Sequence, residues 1–183
     1  MKFKASVMDS AAMKRALVRM SHEILEKNKG AQDLCLVGIR RRGEPLAQMI
    51  CDNIKAIEGA EVPCGDIDIG FYRDDAPRGD APVVRESSLP FPVENKNVII
   101  VDDVLYTGRT VRAAIEAIFS LGRPKAIRLA ILVDRGHREL PIRADFAGKS
   151  IPTSRSEFVK VSVPPYDDSM SVCLYEQAQP SEF

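Results

Sequence analysis

The string Val98 to Thr110, VIIVDDVLYTGRT, combines residue types that could hold a sugar and a phosphate side by side. An apolar run ends in two adjacent carboxylates, Asp102 and Asp103, and continues through Val104, Leu105, Tyr106, Thr107, Gly108 and Arg109 to Thr110. Neighbouring carboxylates can accept hydrogen bonds from a vicinal diol. Thr107, Thr110 and the backbone N–H groups around Gly108 can surround a phosphate where a helix begins. The helix dipole adds about 0.3–1 kcal/mol, so charge-assisted hydrogen bonds must supply the rest of the affinity. The same residue types also make a plain strand-to-helix turn in which Asp and Thr do no more than cap a helix. The string is neither GxxxxGK[ST] nor GxGxxG, which removes the main support for nucleoside-triphosphate or dinucleotide binding.

Two further clusters carry charge. Gly38-Ile39-Arg40-Arg41-Arg42-Gly43 sets three cations between glycines. Glycine permits a tight turn and arginine offers bidentate donors that suit pyrophosphate, although an arginine run is also the ordinary composition of a solvated basic turn. Arg15, Arg19 and His22 recur at i, i+4 and i+7, with Lys27 a little further along, and so share a helix face. Read alone, that stripe is a solvated face.

The elements that must position these groups are legible from periodicity. Asp9 or Ser10 caps a helix running to about Asn28, with Met13, Ala16, Leu17, Met20, Ile24 and Leu25 on its core face and Gly30 as stop. Leu34 to Ile39 is a buried strand. After Gly43, Leu46, Ala47, Met49, Ile50 and Ile54 mark a second helix that ends before Gly59. Ile67, Ile69 and Phe71 alternate with Asp66, Asp68 and Gly70, as in a half-exposed strand. Val98 to Val101 and Ala126 to Val133 are continuous apolar strands, and Thr110 to Leu121 is a helix between them. From Asp134 to Arg155 the pattern breaks into a glycine- and charge-rich excursion, before late strands at Phe158 to Val163 and Ser171 to Tyr175. Strands alternating with helices predict an α/β fold with a mostly parallel sheet covered on both faces. In such sheets ligands bind beyond the carboxyl ends of the strands, so the loops after Ile39, Val101 and Val133 should share one mouth.

Between Arg73 and Lys96, charges and the prolines Pro77, Pro82, Pro90 and Pro92 replace any periodicity, which suits a lid or a plain exposed hairpin. Composition bounds the rest. The formal net charge is +0 and the pI near 6.7, so a basic face must be balanced by acid elsewhere. Pro164 to Phe183 supplies such a balance, with four acidic residues, Asp167, Asp168, Glu176 and Glu182, and no Lys or Arg. The four cysteines contain no CxxC pair and suit core packing. The start of the chain lacks the continuous apolar core of a secretory signal, and no run is long enough to span a membrane, so a cytoplasmic protein of one domain, residues 1–183, is expected.

Taken whole, VIIVDDVLYTGRT resembles the phosphoribosyl pyrophosphate (PRPP) signature of the type I phosphoribosyltransferases. That resemblance implies Asp102 and Asp103 on the ribose hydroxyls and Leu105, Tyr106, Thr107, Gly108, Arg109 and Thr110 around the 5-phosphate. It makes Arg40, Arg41 and Arg42 a pyrophosphate loop, with Arg41 and Arg42 the main contacts; such loops often contain a non-proline cis peptide. Mg²⁺ is implied as a companion of PRPP near Asp102 and Asp103, with no direct protein ligand. Asp102, Asp103 and Arg41 are then the candidate catalytic residues. Purine-using relatives commonly place an aspartate where Tyr106 stands, and a phenol with a pKa near 10 is no substitute for that base at neutral pH.

The excursion Val133 to Asp145, with Gly148-Lys149 and Ile151 to Ser154, resembles the hood of the PyrR family, whose members are bifunctional pyrimidine operon regulators and uracil phosphoribosyltransferases. The resemblance implies a hood over about residues 134–157 plus parts of the termini, and a flexible loop over about 72–95 that carries Arg73 and Asp74. It implies a uracil pocket around Asp134, Arg138 and Ile151. It further implies a basic surface for a pyrimidine operon messenger leader, built from Arg15, Arg19, His22 and Lys27 with His137, Arg138, Arg143 and Lys149. The implied function is conversion of uracil and PRPP to UMP and pyrophosphate, joined to UMP-responsive RNA binding in a homodimer or higher oligomer. The alternative is a purine or other phosphoribosyltransferase that binds no RNA.

Overall fold

The apolar runs of the sequence become the parallel strands of one sheet. The computed structural model describes residues 1–72 and 89–176; Arg73, Asp74 and most of the expected lid lie outside the described residues. In chain order the elements are β1 (Lys2–Met8), α1 (Ser10–Asn28), β2 (Leu34–Ile39), α2 (Gly43–Glu58), β3 (Cys64–Ile67), a 3-10 turn (Gly70–Tyr72), β4 (Asn97–Leu105), α3 (Arg109–Leu121), β5 (Ala126–Asp134), β6 (Phe146–Ser150), β7 (Glu157–Ser162) and β8 (Ser171–Glu176). Five strands form a parallel sheet in the order β3-β2-β4-β5-β6. β1, β8 and β7 form a separate antiparallel sheet.

β4 lies between β2 and β5, so both of its edges are paired, and with helices packed on both faces Val98 to Val101 are each at most 1% exposed. Alternate residues feed two cores. Leu36, Ile99 and Val101 pack with Met13, Leu17 and Ile24 of α1 and Leu46, Ile50 and Ile54 of α2. Val37, Ile100 and Ile131 pack with Val111, Ala114 and Ile118 of α3 on the opposite face. The helix ends follow the expected chemistry. Asp9 caps α1 by accepting from the Ala12 N–H at 2.7 Å, and Gly59 closes α2 in the left-handed region. All four cysteines are free, and burial pushes the Cys35 thiol up to about 11.

Four local expectations change. β1 adds a strand not expected from the sequence: Phe3, Ala5 and Val7 alternate with Lys2, Lys4 and Ser6, but Lys2 to Ser6 are exposed, and the strand forms by pairing with β8 from the far end of the chain. The strand expected over residues 66–71 begins at Cys64 and ends at Ile67, because the Asp68 carboxylate accepts from the Gly70 N–H at 2.9 Å and turns the backbone. β4 runs four residues past Val101, held by its ladder to β5, so the acidic pair stands at the end of a strand rather than in a loop. Within the excursion, Phe146 to Ser150 is a regular strand paired parallel to β5 and anchored by buried Phe146.

Candidate functional site

The carboxyl ends of β2, β4 and β5 open on one edge of the sheet, and each continues into one of the chemically loaded segments. Two glycines set the first of these. A Cβ on Gly38 would lie 2.6 Å from the Glu44 backbone, and one on Gly43 would lie 2.3 Å from the Val101 carbonyl oxygen. The arginine turn therefore presses directly against the end of β4. Its Arg40–Arg41 peptide bond is cis. The result is a cleft of about 320 Å³ whose lining includes Arg40, Arg41, Arg42, Asp102, Asp103 and Thr110.

The three arginines differ in their partners. Arg40 is tied to Asp66, with Asp68 at 3.9 Å. Arg42 makes a two-point pair with Asp167, Nε to Oδ2 at 3.0 Å and Nη2 to Oδ1 at 3.1 Å. Arg41 is exposed and has no ion-pair partner among the described residues. Of the two residues expected as main pyrophosphate contacts, Arg41 thus has its donors available, whereas Arg42 is already engaged.

Asp102 is 7% exposed. Its Oδ1 accepts from the Asp103 N–H at 2.9 Å, and the Asp103 Oδ1 accepts from the Val104 N–H at 2.8 Å. Burial, then the charge of Asp103, pushes the Asp102 carboxyl well above the usual aspartate range. Burial raises Asp103 as well, opposed by the Val104 N–H and by the nearby Arg42. A buried, partly satisfied acidic pair retains acceptor capacity for hydroxyl donors of a ligand.

Gly108, at φ 94°, turns the chain into α3, where the first N–H groups of a helix have no intrahelical partner. The Thr107 hydroxyl accepts from the Arg109 N–H at 3.4 Å. The segment after β5 lies against this loop: the Glu139 and Leu140 N–H groups donate to the Thr107 carbonyl at 3.0 and 3.2 Å, and Arg109 pairs with Glu139 at 2.8 Å.

Asp134, Arg138 and Ile151 come together at the end of β5. The Ile151 N–H donates to the Asp134 carbonyl at 2.9 Å, and Arg138 Nη2 donates to the Asp134 carboxylate at 2.5 Å. The remaining Arg138 donors reach the Ile142 carbonyl at 2.9 Å and the Tyr106 carbonyl at 2.8 Å. Arg138 is therefore an internal clamp between the segment after β5 and the Leu105–Thr110 loop, and any ligand contact by its guanidinium must compete with these bonds.

Arg135 is a site residue that sequence reading passed over. It is 5% exposed, and its Cζ sits 4.1 Å from the Tyr106 ring centroid. Nothing in a charge-rich excursion marks one arginine as buried. His137, in the left-handed region at φ 61°, approaches the same ring edge-on with centroids 6.0 Å apart, and its Nε2 lies 2.6 Å from the Thr153 carbonyl.

Arg15, Arg19 and His22 line one shallow depression of α1, and Lys27 is exposed on the same helix. Arg19 pairs with Glu23 and donates to the Ala147 and Gly148 carbonyls at 3.0 and 2.7 Å, which binds α1 to β6. Lys149 donates to the Val7 carbonyl at 3.1 Å, and Arg143 is exposed. At the root of the expected lid, Arg112 donates to the Tyr72 carbonyl at 2.7 Å and Tyr72 Oη lies 2.9 Å from Ser120 Oγ. Among the described residues no cluster of three or more His, Cys, Asp or Glu side chains could hold a metal, and no helix is long and apolar enough to cross a membrane.

Comparison with known proteins follows this geometry. Residues 5–169 match the family described as phosphoribosyl transferase domain. The chain is 58% identical to the bifunctional protein PyrR of Caldicellulosiruptor bescii over 94% of this chain and 95% of that one. It is 57% identical to the bifunctional protein PyrR of Thermus thermophilus over 97% of this chain and 98% of that one. Among solved structures, a hypoxanthine-guanine phosphoribosyltransferase of Bacillus anthracis aligns with a TM-score of 0.70 at 17% identity, covering 94% of this chain and 98% of its own. The hypoxanthine phosphoribosyltransferase of Trypanosoma cruzi in complex with the product IMP aligns with a TM-score of 0.73 at 16% identity, covering 96% and 92%. At such identity these two structures speak for the fold alone.

Proposed function

The chain belongs to the PyrR family of phosphoribosyl transferases, and from that membership we propose a cytoplasmic protein with two roles built on one nucleotide site. It converts uracil and PRPP to UMP and pyrophosphate. It also binds the messenger leader of a pyrimidine operon in response to UMP and regulates transcription attenuation. The observation that carries the reading is the close approach of Gly43 to the Val101 carbonyl, which sets the arginine turn and the acidic pair in one cleft beside the start of α3.

Loss of pyrophosphate from the anomeric carbon leaves an oxocarbenium-like centre, so charge stabilisation and orientation matter more than a dedicated nucleophile. Asp102 and Asp103 accept from the ribose hydroxyls, orient the ring and face the developing positive charge. Arg41, whose donors have no partner among the described residues, meets the leaving pyrophosphate, while Arg40 and Arg42 hold the turn in place through Asp66 and Asp167. Leu105 to Thr110 cradle the 5-phosphate. Asp134, Arg138 and Ile151 shape the uracil pocket, Arg138 through its clamp on the loop, and Arg73 and Asp74 belong to the closing segment. A Mg²⁺ ion would enter with PRPP and lie near Asp102 and Asp103, whose hard carboxylate oxygens suit such a cation. When bound, it would supply positive charge to offset that of the departing pyrophosphate.

For RNA, the exposed cations Arg15, Lys27 and Arg143 are the phosphate contacts, joined by His22 and His137. Arg19 and Lys149, also exposed but bonded to backbone carbonyls, and Arg138 shape the surface, and a homodimer or higher oligomer extends it. The test has two arms. Uracil, hypoxanthine and guanine are each supplied with PRPP and Mg²⁺, and turnover with a purine but not uracil overturns the enzymatic reading. Gel shifts on the leader RNA with and without UMP examine the second role, which fails if the nucleotide leaves RNA affinity unchanged.

A further inference from the structure

Arg135 carries a positive charge into the interior, yet no carboxylate among the described residues pairs with it. Its donors go to neutral oxygens: Nε to the Thr153 hydroxyl at 3.2 Å and Nη2 to the Ser154 carbonyl at 2.9 Å. The Thr153 hydroxyl in turn donates to the Arg135 carbonyl at 3.0 Å, and the Arg135 N–H donates to the Leu105 carbonyl at 3.1 Å. Buried charges are ordinarily neutralised by an opposite charge. What this guanidinium has instead is the face of Tyr106, a cation–π contact that attracts but does not neutralise.

Tyr106 is the second residue of the Leu105–Thr110 loop. Its ring is held on the face by Arg135 and on the edge by His137, and its carbonyl accepts from Arg138. The residue that shapes the middle of the loop is thus fixed from three directions, and the contact on its ring face comes from a cation with no carboxylate partner among the described residues. We propose that Arg135 is a positioning residue of the nucleotide site: it fixes Tyr106 and sets beside the Leu105–Thr110 loop a positive charge complementary to the phosphate of a bound nucleotide. The inference rests on the reading of that loop as a phosphate cradle. Two separable properties follow, a planar stack that lysine cannot reproduce and a charge that it can.

Calorimetric titration with UMP, PRPP kinetics and thermal melts on Arg135→Met and Arg135→Lys, each also in a Tyr106→Leu background, test this. Arg135→Met is expected to weaken UMP binding by about tenfold or more and to raise KM for PRPP by more than it lowers kcat. Arg135→Lys recovers part of that loss by restoring the charge. With Tyr106→Leu already present, Arg135→Met has a smaller effect than in the wild-type background, because the stack is gone. A lowered melting temperature with unchanged UMP affinity and unchanged KM reduces Arg135 to a packing residue and overturns the proposal. Should Arg135→Met fail to fold, Arg135→Lys decides: a folded variant with wild-type UMP affinity and KM overturns it, and weakened binding supports it. Wild-type protein that binds no UMP refutes the cradle reading itself, a failure distinct from a variant that binds as well as wild type.

Discussion

Arg42 and Asp167 form a two-point pair that joins the turn after β2 to the segment between β7 and β8, and Asp167 Oδ2 also accepts from the Val163 N–H at 3.0 Å. The hydrogen bond from Arg42 holds the Asp167 carboxyl below the usual aspartate range. A carboxylate with a lowered folded pKa contributes stability above its ordinary value, about 3.9, and loses it as pH falls through the folded value. Asp167→Asn is therefore expected to cost about 1 kcal/mol at neutral pH after solvent screening, a drop of roughly 2–4 °C in Tm. Thermal melts should show the gap to wild type closing in acid; a gap that persists there shows that charge is not its origin.

Asp102 has the opposite sign. Its carboxyl is raised by burial and by Asp103, so the charge is tolerated worse in the folded state than in the unfolded one. Its contribution is most favourable below the ordinary aspartate pKa and declines as pH rises through the raised folded value. Asp102→Asn should then melt higher than wild type at neutral pH, by an amount that shrinks as the pH is lowered, while UMP formation falls sharply. A neutral-pH melt at or below that of wild type contradicts this balance of stability against function.

Arg41 has no ion-pair partner among the described residues, so its removal leaves no carboxylate uncompensated. Arg41→Ala should reduce kcat/KM for PRPP by about 10²-fold with Tm unchanged within a degree or so. Arg40→Ala leaves Asp66 without its guanidinium and should show its main effect in the melt. Steady-state kinetics and melts on the two variants separate these roles. Equal kinetic losses return the turn to three equivalent arginines.

On the proposed RNA face, the exposed Arg15 and the internally bonded Arg19 give different expectations. Arg15→Ala should weaken leader binding and make the salt dependence shallower by about 0.7–0.9 in log–log slope, the signature of one lost phosphate contact. Arg19→Ala should lower Tm through the freed β6 carbonyls and alter the slope less. Filter-binding titrations across salt concentrations measure both, and a larger slope change for Arg19 than for Arg15 reverses the assignment.

Much of the cleft was legible because its parts are contiguous in sequence. Asp102 to Thr110 lie on one strand-to-helix passage, and Gly38 to Gly43 on another, so spacing alone assigned each group to the segment that follows a central strand. Partnerships were not legible, because they join residues far apart in the chain: Arg42 with Asp167, Arg19 with the carbonyls of Ala147 and Gly148, Arg138 with Tyr106. β1 escaped for a related reason, since most of its residues are exposed and its pairing partner lies more than 160 residues away.

The sequence by itself determined the α/β alternation, the two central apolar strands, the Asp9 cap of α1, the Gly59 end of α2 and the family, because hydrophobic period and local motif are properties of short contiguous stretches. The tertiary structure alone decided which of three adjacent arginines remains available, that Arg135 is buried against Tyr106, and that the acidic pair sits at the end of a strand. Burial and charge pairing depend on what the fold brings from elsewhere, and no local pattern encodes that.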